Sequence, residues 1–413
     1  MRAAILHPGE RIVGRARGSM LAAVLVLGAA ACGSDPAGTA EPVVRDSAGI
    51  AIVENPASLA DRPYERTLSA EPILDIGVIE GQPEYQLFRV SSAQLLPDGS
   101  LVIANAGTQE LRLFDGTGRF LAAVGGRGDG PGEYQHPVLV PSPHADTILV
   151  HDGFVQRLTV LSADGELIRT EMTGGTPGGV VGSVTGQRLV ATSNTASVRL
   201  DSPEGIVTNE VVVRVALPGS AEADTVARVA GPDLFVWNQS GRVGFTQVPF
   251  DARPTVATGG DWIHIALGRI PEVRTFDAEG RLLRVVRIVR PADMLTRAEF
   301  DAYVEERVAR ARDASEAAEL RRQYAATPVR DALPANQRVL VDARDNVWVE
   351  RFPRNPDDPP TWMILGTDGI ARGTIVLPAG VRVLTIGEDR VVGLLRDAMD
   401  VEHVLAWRLV PTG

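Results

Sequence analysis

Residues 95–125 read LLPDGSLVIANAGTQELRLFDGTGRFLAAVG, and residues 139–170 read LVPSPHADTILVHDGFVQRLTVLSADGELIRT. Both parse as short apolar runs separated by Asp-Gly turn signals, the pattern of a β-meander. The first copy predicts a strand, a turn at Asp98-Gly99, strands near 101–104 and 111–114, a turn at Asp115-Gly116 and a strand near 120–124. The second places strands near 148–151, 158–161 and 167–170 around a turn at Asp164-Gly165. Phe114 and Leu161, each closing a third strand, are 47 residues apart. Further third strands fall near 215, 276, 365 and 409, with turns at Asp277–Gly280 and Gly366–Gly369. IGVIEGQPEYQ (76–86) echoes VGGRGDGPGEYQ (124–135), so that Tyr85 and Tyr134 lie 49 residues apart.

A period in the forties with about four strands per unit is that of a propeller blade. Six third strands predict an all-β, six-bladed β-propeller over residues 46–413. The sixth unit ends after three strands, so an N-terminal strand, near 73–77 or 50–53, is needed to complete it and remove the free edge. Residues 296–325 break the pattern. Thr296 and Glu299 form a capping-box signature, and Phe300, Val304, Val308 and Ala311 follow helical spacing. This is read as a helical insertion in blade five, ahead of a strand near 339–341.

The N-terminus carries its own signature. Arg2, Arg11, Arg15 and Arg17 precede an apolar run from Met20 to Leu27 and the stretch Ala29-Ala30-Ala31-Cys32. Charged start, short apolar core and small residues at the cut make a signal peptide over residues 1–31. The run is too short to span a bilayer, which takes about 20 residues. Cys32, the only cysteine, is expected to be the lipidated first residue of the mature chain, with residues 32–45 as a flexible tether. That places the protein on the outer membrane or the periplasmic face of the envelope. The alternative is cleavage at Ala29-x-Ala31 and release as a periplasmic or secreted protein. Cleavage before Cys32 removes four arginines and one glutamate, taking the net charge from −11 to −14. The acidic balance argues against nucleic acid as a partner. All 41 basic residues are arginine, which excludes a lysine nucleophile, Schiff base or P-loop lysine.

At GRGDGPGEY (126–134) the chain resembles the bacterial six-bladed β-propeller proteins related to NHL repeats, in which a Gly-Pro-Gly-Glu-aromatic run links consecutive blades. The resemblance extends to GIAIVENP (49–56), to the helical insertion, and to the Val341-Asp342…Asn346-Val347-Trp348 blade. It implies a propeller fold and export, in the lipoprotein type, and no assigned activity.

The candidate chemistry is sparse. The glycine loop 125–132 lacks the Lys-Ser/Thr and following helix of a phosphate loop, and reads as a connecting turn. His136, His144 and His151 are spaced eight and seven apart, unlike a zinc helix. The calcium-dependent lactonases of the gluconolactonase and regucalcin type hold a hard cation with oxygen ligands at the channel mouth. Asn105, Asp152, Asn194 and Glu350 close second strands here and are the metal candidates, although short polar residues after a strand are also ordinary turn formers. The run RLLRVVRIVR (281–290) reads as an arginine-protected outer edge, or alternatively as a docking patch for anionic polymer or lipid. The expected function is a non-enzymatic, monomeric, lipid-anchored scaffold without cofactor. It would bind a protein or glycan ligand through its funnel face and insertion. The alternative is a calcium-dependent hydrolase or lactonase.

Overall fold

The computed structural model describes residues 41–412, apart from 143, 145, 175–177, 186–187, 200, 221 and 240–241. The signal sequence, Cys32 and the tether up to residue 40 lie outside the described residues. Six antiparallel sheets follow one another along the chain. Sheet 1 is Val90–Leu95, Leu101–Asn105, Glu110–Phe114 and Phe120–Gly125. Sheet 2 is Pro137–Val140, Thr147–Asp152, Arg157–Ser162 and Leu167–Met172. Sheet 3 is Gly179–Val184, Arg188–Asn194, Glu210–Ala216 and Asp224–Ala230. Sheet 4 holds Thr255–Gly259, Trp262–Ala266, Glu272–Phe276 and Leu282–Val289, and sheet 5 holds Arg338–Val341, Val347–Glu350, Thr361–Leu365 and Ala371–Val376. Sheet 6 is Arg382–Ile386, Arg390–Arg396 and Glu402–Pro411, completed by Leu74–Ile76.

The first strands of the six sheets touch in cyclic order, sheet 1 to sheet 6 and back to sheet 1. The apolar core divides in the same way, into one cluster per sheet-to-sheet interface. Phe114 and Val102 of sheet 1 face Val392 of sheet 6 and Val150 of sheet 2, respectively. Trp348 and Trp362 of sheet 5 pack with Trp407 of sheet 6. The interface between sheets 2 and 3, built on Leu149, Leu158 and Leu189, is the smallest. The fold is a β-propeller.

The turn chemistry read from the sequence recurs around the ring. Gly99, Gly118, Gly165, Gly280 and Gly369 all take φ between 80° and 87°, a conformation that costs a residue with a Cβ. Asp98, Asp115, Asp277 and Asp368 in four of these turns, and Asp342 in the corresponding turn of sheet 5, accept hydrogen bonds from backbone N–H groups of their own turn. The 126–134 loop is a connecting turn as expected. Tyr134 N donates to Gly126 O (2.8 Å), and the Tyr134 ring occupies the space where a Cβ on Gly125 would sit.

The N-terminal segment departs from the simplest expectation. Both candidate strands are used, in different sheets. Leu74–Ile76 closes sheet 6 against Glu402–Pro411, with Arg66–Leu68 pairing farther along the same strand. Ile50–Pro56, hairpinned to Val43–Ser47, instead adds parallel to Leu282–Val289 of sheet 4. The 281–290 run is therefore not an exposed edge, because a strand covers it. Its arginines are also engaged. Arg281 bonds Asp277, Arg284 bonds Thr367 O, Arg287 bridges Glu272 and Glu54, and Arg290 meets Asp61. Between these two strands, the helix α1 (Ala57–Ala60) and residues 62–64 run along the outer strand of sheet 5. Asn55, fully buried, donates to Gly369 O (3.0 Å) and accepts from Ala371 N (2.8 Å), tying this segment to sheet 5.

The insertion is two helices rather than one. α2 (Arg297–Ala309) carries the expected capping box, with Glu299 N donating to Thr296 and the Glu299 carboxylate accepting from Thr296 N. α3 (Ala314–Ala326) starts at its own cap, Asp313. Both lie between the last strand of sheet 4 and the first of sheet 5. A second accessory element had no signal in the strand pattern. Gly205–Val207, from the long connection inside sheet 3, pairs with Leu234–Gln239 and through it with Arg242–Gln247 as a separate three-stranded sheet. Among the described residues no helix is long and apolar enough to cross a membrane.

His264 in sheet 4 makes the packing between sheets 4 and 5 sensitive to pH. It is 5% exposed, with Nδ1 3.0 Å from Thr275 Oγ1. Burial, reinforced by Arg284, pulls its pKa down to about 4. An unfolded imidazole titrates near 6.5, so as pH falls through 6.5 the unfolded chain takes up a proton that the folded one refuses. Stability should fall by roughly 3 kcal/mol between pH 6.5 and 4 on this account and then level off. His264→Gln should flatten this part of the urea-denaturation stability–pH curve. Parallel wild-type and variant curves would refute the assignment.

Candidate functional site

The register decides which end of the ring can be a site. Val90 pairs with Asn105, Pro137 with Asp152 and Arg338 with Glu350, so first strands begin where second strands end. Antiparallel order then sends both the loop after the second strand and the connection to the next sheet to that same end. The opposite end carries the tight Asp/Gly turns. The accessory sheet, the two helices and the glycine loop are therefore all at the end where the first strands start. We call this end the mouth. Long connections on a rigid scaffold are where ligand sites are built.

Arginine dominates the mouth. Arg338 and Arg382 open the first strands of sheets 5 and 6. Arg338 Nη2 donates to Val383 O of sheet 6 (2.6 Å), and Arg382 Nη2 donates to Val90 O of sheet 1 (3.0 Å). Ser91 Oγ continues the stitching by donating to Pro137 O of sheet 2 (2.6 Å). Each arginine thus spends one nitrogen on the neighbouring sheet. Among the described residues Arg382 makes no other side-chain hydrogen bond. Desolvation lowers the pKa of both guanidinium groups, and their mutual repulsion adds to this at Arg338. Neither loses its charge, and attraction to Glu350 at Arg338 and to Glu402 at Arg382 offsets part of the burial cost.

Three adjoining compartments share these residues. One of about 440 Å³ lies between sheets 5 and 6 and is lined by Gln337, Arg338, Glu350, Arg354, Thr361 and Arg382. A second, of about 310 Å³, adds Asn194 and Arg253 to Arg338. A third, of about 560 Å³, joins Arg382 to Arg89, His136 and Arg396. Glu402 anchors this last group, accepting from Val90 N (2.7 Å) and from Arg396 Nη2 (2.7 Å). On the rim, Arg89 stacks over exposed Phe88 (5.2 Å), and His136 meets exposed Phe154 (5.9 Å).

The four metal candidates are placed as follows. Asp152 accepts from four backbone N–H groups, those of Gln135, His136, Phe154 and Val155. Asn105 accepts from Phe88 N (2.8 Å) and donates to Thr108 Oγ1 (2.7 Å). Asn194 accepts from Asn209 Nδ2 (3.0 Å) and borders the second compartment. These three serve their own loops, and only Asn194 and Glu350 reach the mouth cavities. Among the described residues no group of three or more His, Cys, Asp or Glu side chains is placed to hold a metal. The donor set does not fit a calcium site. His144 follows the first strand of sheet 2 and so sits at the turn end, away from His136; His151 bonds Thr173 Oγ1 (3.2 Å), and burial lowers its pKa.

Glu350 differs from the other three. It is 4% exposed; among the described residues its Oε2 has no hydrogen-bond partner, with Arg338 Nη1 3.9 Å away, while Gln337 hydrogen-bonds the carboxylate. Burial pushes its pKa up against the smaller opposing pulls of Arg338 and Gln337.

No family model matches the sequence, and no curated protein matches it significantly. Among solved structures, similarity is found to a Bacteroides fragilis protein described as exported, with a TM-score of 0.46, 11% identity, and coverage of 87% of this chain and 100% of that one. A member of the duf4221 family from Bacteroides vulgatus has a TM-score of 0.44 at 10% identity, covering 85% of this chain and 100% of that one. Regucalcin, a calcium-binding protein of Agrobacterium tumefaciens, has a TM-score of 0.30 at 10% identity, covering 87% of this chain and 97% of that one. At these scores the likenesses add nothing to what the mouth itself says about ligand or chemistry.

If Asp152 is a loop anchor and not a ligand, Asp152→Ala should cost roughly 3 kcal/mol, because several buried N–H groups lose their acceptor. Millimolar calcium or a chelator should leave the melting temperature of wild type and variant alike unchanged. A calcium-dependent rise that Asp152→Ala abolishes would overturn this assignment.

Proposed function

We propose that this chain is an exported, lipid-anchored, six-bladed propeller that acts as a non-enzymatic binding module for a small anionic ligand at its arginine-lined mouth. The observation that carries the reading is the meeting of Arg338 and Arg382 at the end where every long connection collects. Two desolvated guanidinium groups with unused donors are an anion site in search of its anion. Binding is favoured over turnover by what surrounds Glu350, the one carboxylate of its compartment whose pKa is raised. Among the described residues the only hydroxyl lining that compartment, Thr361, donates to Pro359 O (3.3 Å), and its other carboxylate, Asp358, is held by Asn355. The sequence supports the location: the charged, apolar and small-residue order before Cys32 is that of a lipoprotein leader.

Two measurements test these statements separately. Metabolic labelling with a palmitate analogue should mark the wild type and leave Cys32→Ala unlabelled. Equal labelling of both would mean a released protein. Pyrenetetrasulfonate, a compact polyanion followed by fluorescence anisotropy, should bind the purified domain, and Arg382→Gln should weaken it by about tenfold, the scale of one charge-assisted contact. The same affinity in the variant would remove the mouth as the anion site.

A further inference from the structure

Two of the loop anchors hold aromatic rings at the mouth. Asn105 Oδ1 accepts the N–H of Phe88 (2.8 Å), just ahead of sheet 1. Asp152 accepts the N–H of His136 (2.7 Å), just ahead of sheet 2, and that of Phe154 (3.0 Å), in the loop after its second strand. Gly107 N donates to Phe88 O (2.9 Å), and a Cβ on Gly107 would stand 2.2 Å from the Phe88 ring, so the ring is packed on that glycine. Arg89 follows at φ 55°, a conformation unfavourable for any residue with a Cβ. Although their backbones are fixed, the Phe88 and Phe154 side chains stay 57% and 74% exposed. A single exposed ring is ordinary. Here each of two rings touches a different cation of one compartment, that of about 560 Å³: Phe88 lies under the Arg89 guanidinium and Phe154 meets the His136 ring. The charge there is in surplus. Its one carboxylate, Glu402, is answered by Arg396 and Val90 N, and Arg396 also bonds Asp400. Among the described residues Arg89 makes no ion pair or side-chain hydrogen bond, and Arg382 spends a single nitrogen on Val90 O. A guanidinium lying over a ring keeps its donors in its own plane, so it can meet an anion edge-on.

We propose that the compartment lined by sheets 6, 1 and 2 takes a compact anion carried on an aromatic ring, of the aryl carboxylate kind. Arg89 and Arg382 bind the anionic oxygens, and Phe88 and Phe154 pack against the ligand ring. This rests on the mouth being the anion site. Offset or edge-on ring packing adds to apolar burial, so a flat aromatic anion binds better than a saturated one of the same charge.

Trimesate and its ring-hydrogenated form, cyclohexanetricarboxylate, carry the same carboxylates at the same ring positions, one ring flat and aromatic, the other puckered and saturated. At about pH 8, well above ordinary carboxyl pKa values, calorimetric titration of the purified protein should find trimesate tighter by about fivefold, the scale of one aromatic contact. Phe88→Leu combined with Phe154→Leu keeps apolar bulk and removes both rings. It should bring the two affinities together and leave that for cyclohexanetricarboxylate as it was. Both side chains are exposed, so the melting temperature should not move; each single substitution should give part of the loss and serves where the double variant is unstable. Arg89→Gln should weaken both ligands alike, by about tenfold. Equal binding of the two by the wild type, a preference that survives loss of both rings, or unchanged binding in Arg89→Gln overturns the proposal. If pyrenetetrasulfonate binds in an Arg382-dependent way but trimesate does not bind or shows no preference, this inference falls and the mouth reading stands. If nothing binds, both fall.

Discussion

The pairing of Leu74–Ile76 with Glu402–Pro411 holds the ring shut, and the mouth depends on it. Without that strand, sheet 6 would end in an open edge, a site for unwanted pairing. Leu74 and Ile76 would also leave the cluster they share with Phe114 of sheet 1 and Val392 of sheet 6. The seam between sheets 6 and 1 carries polar stitching of the mouth as well. Glu402, on the strand that accepts the closure, takes the N–H of Val90, and Arg382 takes the carbonyl of the same residue. The strand that accepts the closure thus also contributes a charged group to the mouth. From sheet 4 to sheet 6, the N-terminal segment adds a second constraint. Ile50–Pro56 on sheet 4, Asn55 on sheet 5 and Leu74–Ile76 on sheet 6 tie three consecutive sheets together. The interface between sheets 2 and 3 lies outside this reach and has the smallest apolar cluster.

Local features were the most legible in the sequence. Asp-Gly turns specify themselves, because the Asp side chain and the glycine φ are properties of four residues in a row. The meander, the period, the capping box and the connecting role of the glycine loop followed from them. Partners distant in sequence were not legible. Both N-terminal strands fit a closing strand by composition. What assigns Ile50–Pro56 to sheet 4 is packing of Val53 and Ala60 against residues more than two hundred positions away. The arginines of 281–290 were read as guards of an open edge because the covering strand cannot be seen from the run itself. The accessory sheet stayed hidden because its strands come from two different connections.

The site shows the same division. Asn105, Asp152 and Asn194 were singled out as polar residues after a strand, and that is also the signature of a loop anchor; only coordinates separate the two. Glu350 ends the second strand of sheet 5, as its position in the repeat indicates, and lines a mouth compartment. Arg338 and Arg382 were passed over, although a signal existed. Each opens the first strand of its unit, so aligning successive units would have set two arginines at one structural position.

Net charge decides what size of anion the mouth can take. The chain is acidic overall, at −11, so at long range it repels anions. Beyond about 8–10 Å in physiological salt, attraction from the mouth arginines is screened. A polymer with charges spread over tens of ångströms would meet mostly the acidic surface. A compact anion that fits inside one compartment would feel Arg338 and Arg382 at contact distance and little else. The same field that disfavours nucleic acid and anionic envelope polymer therefore selects a small ligand.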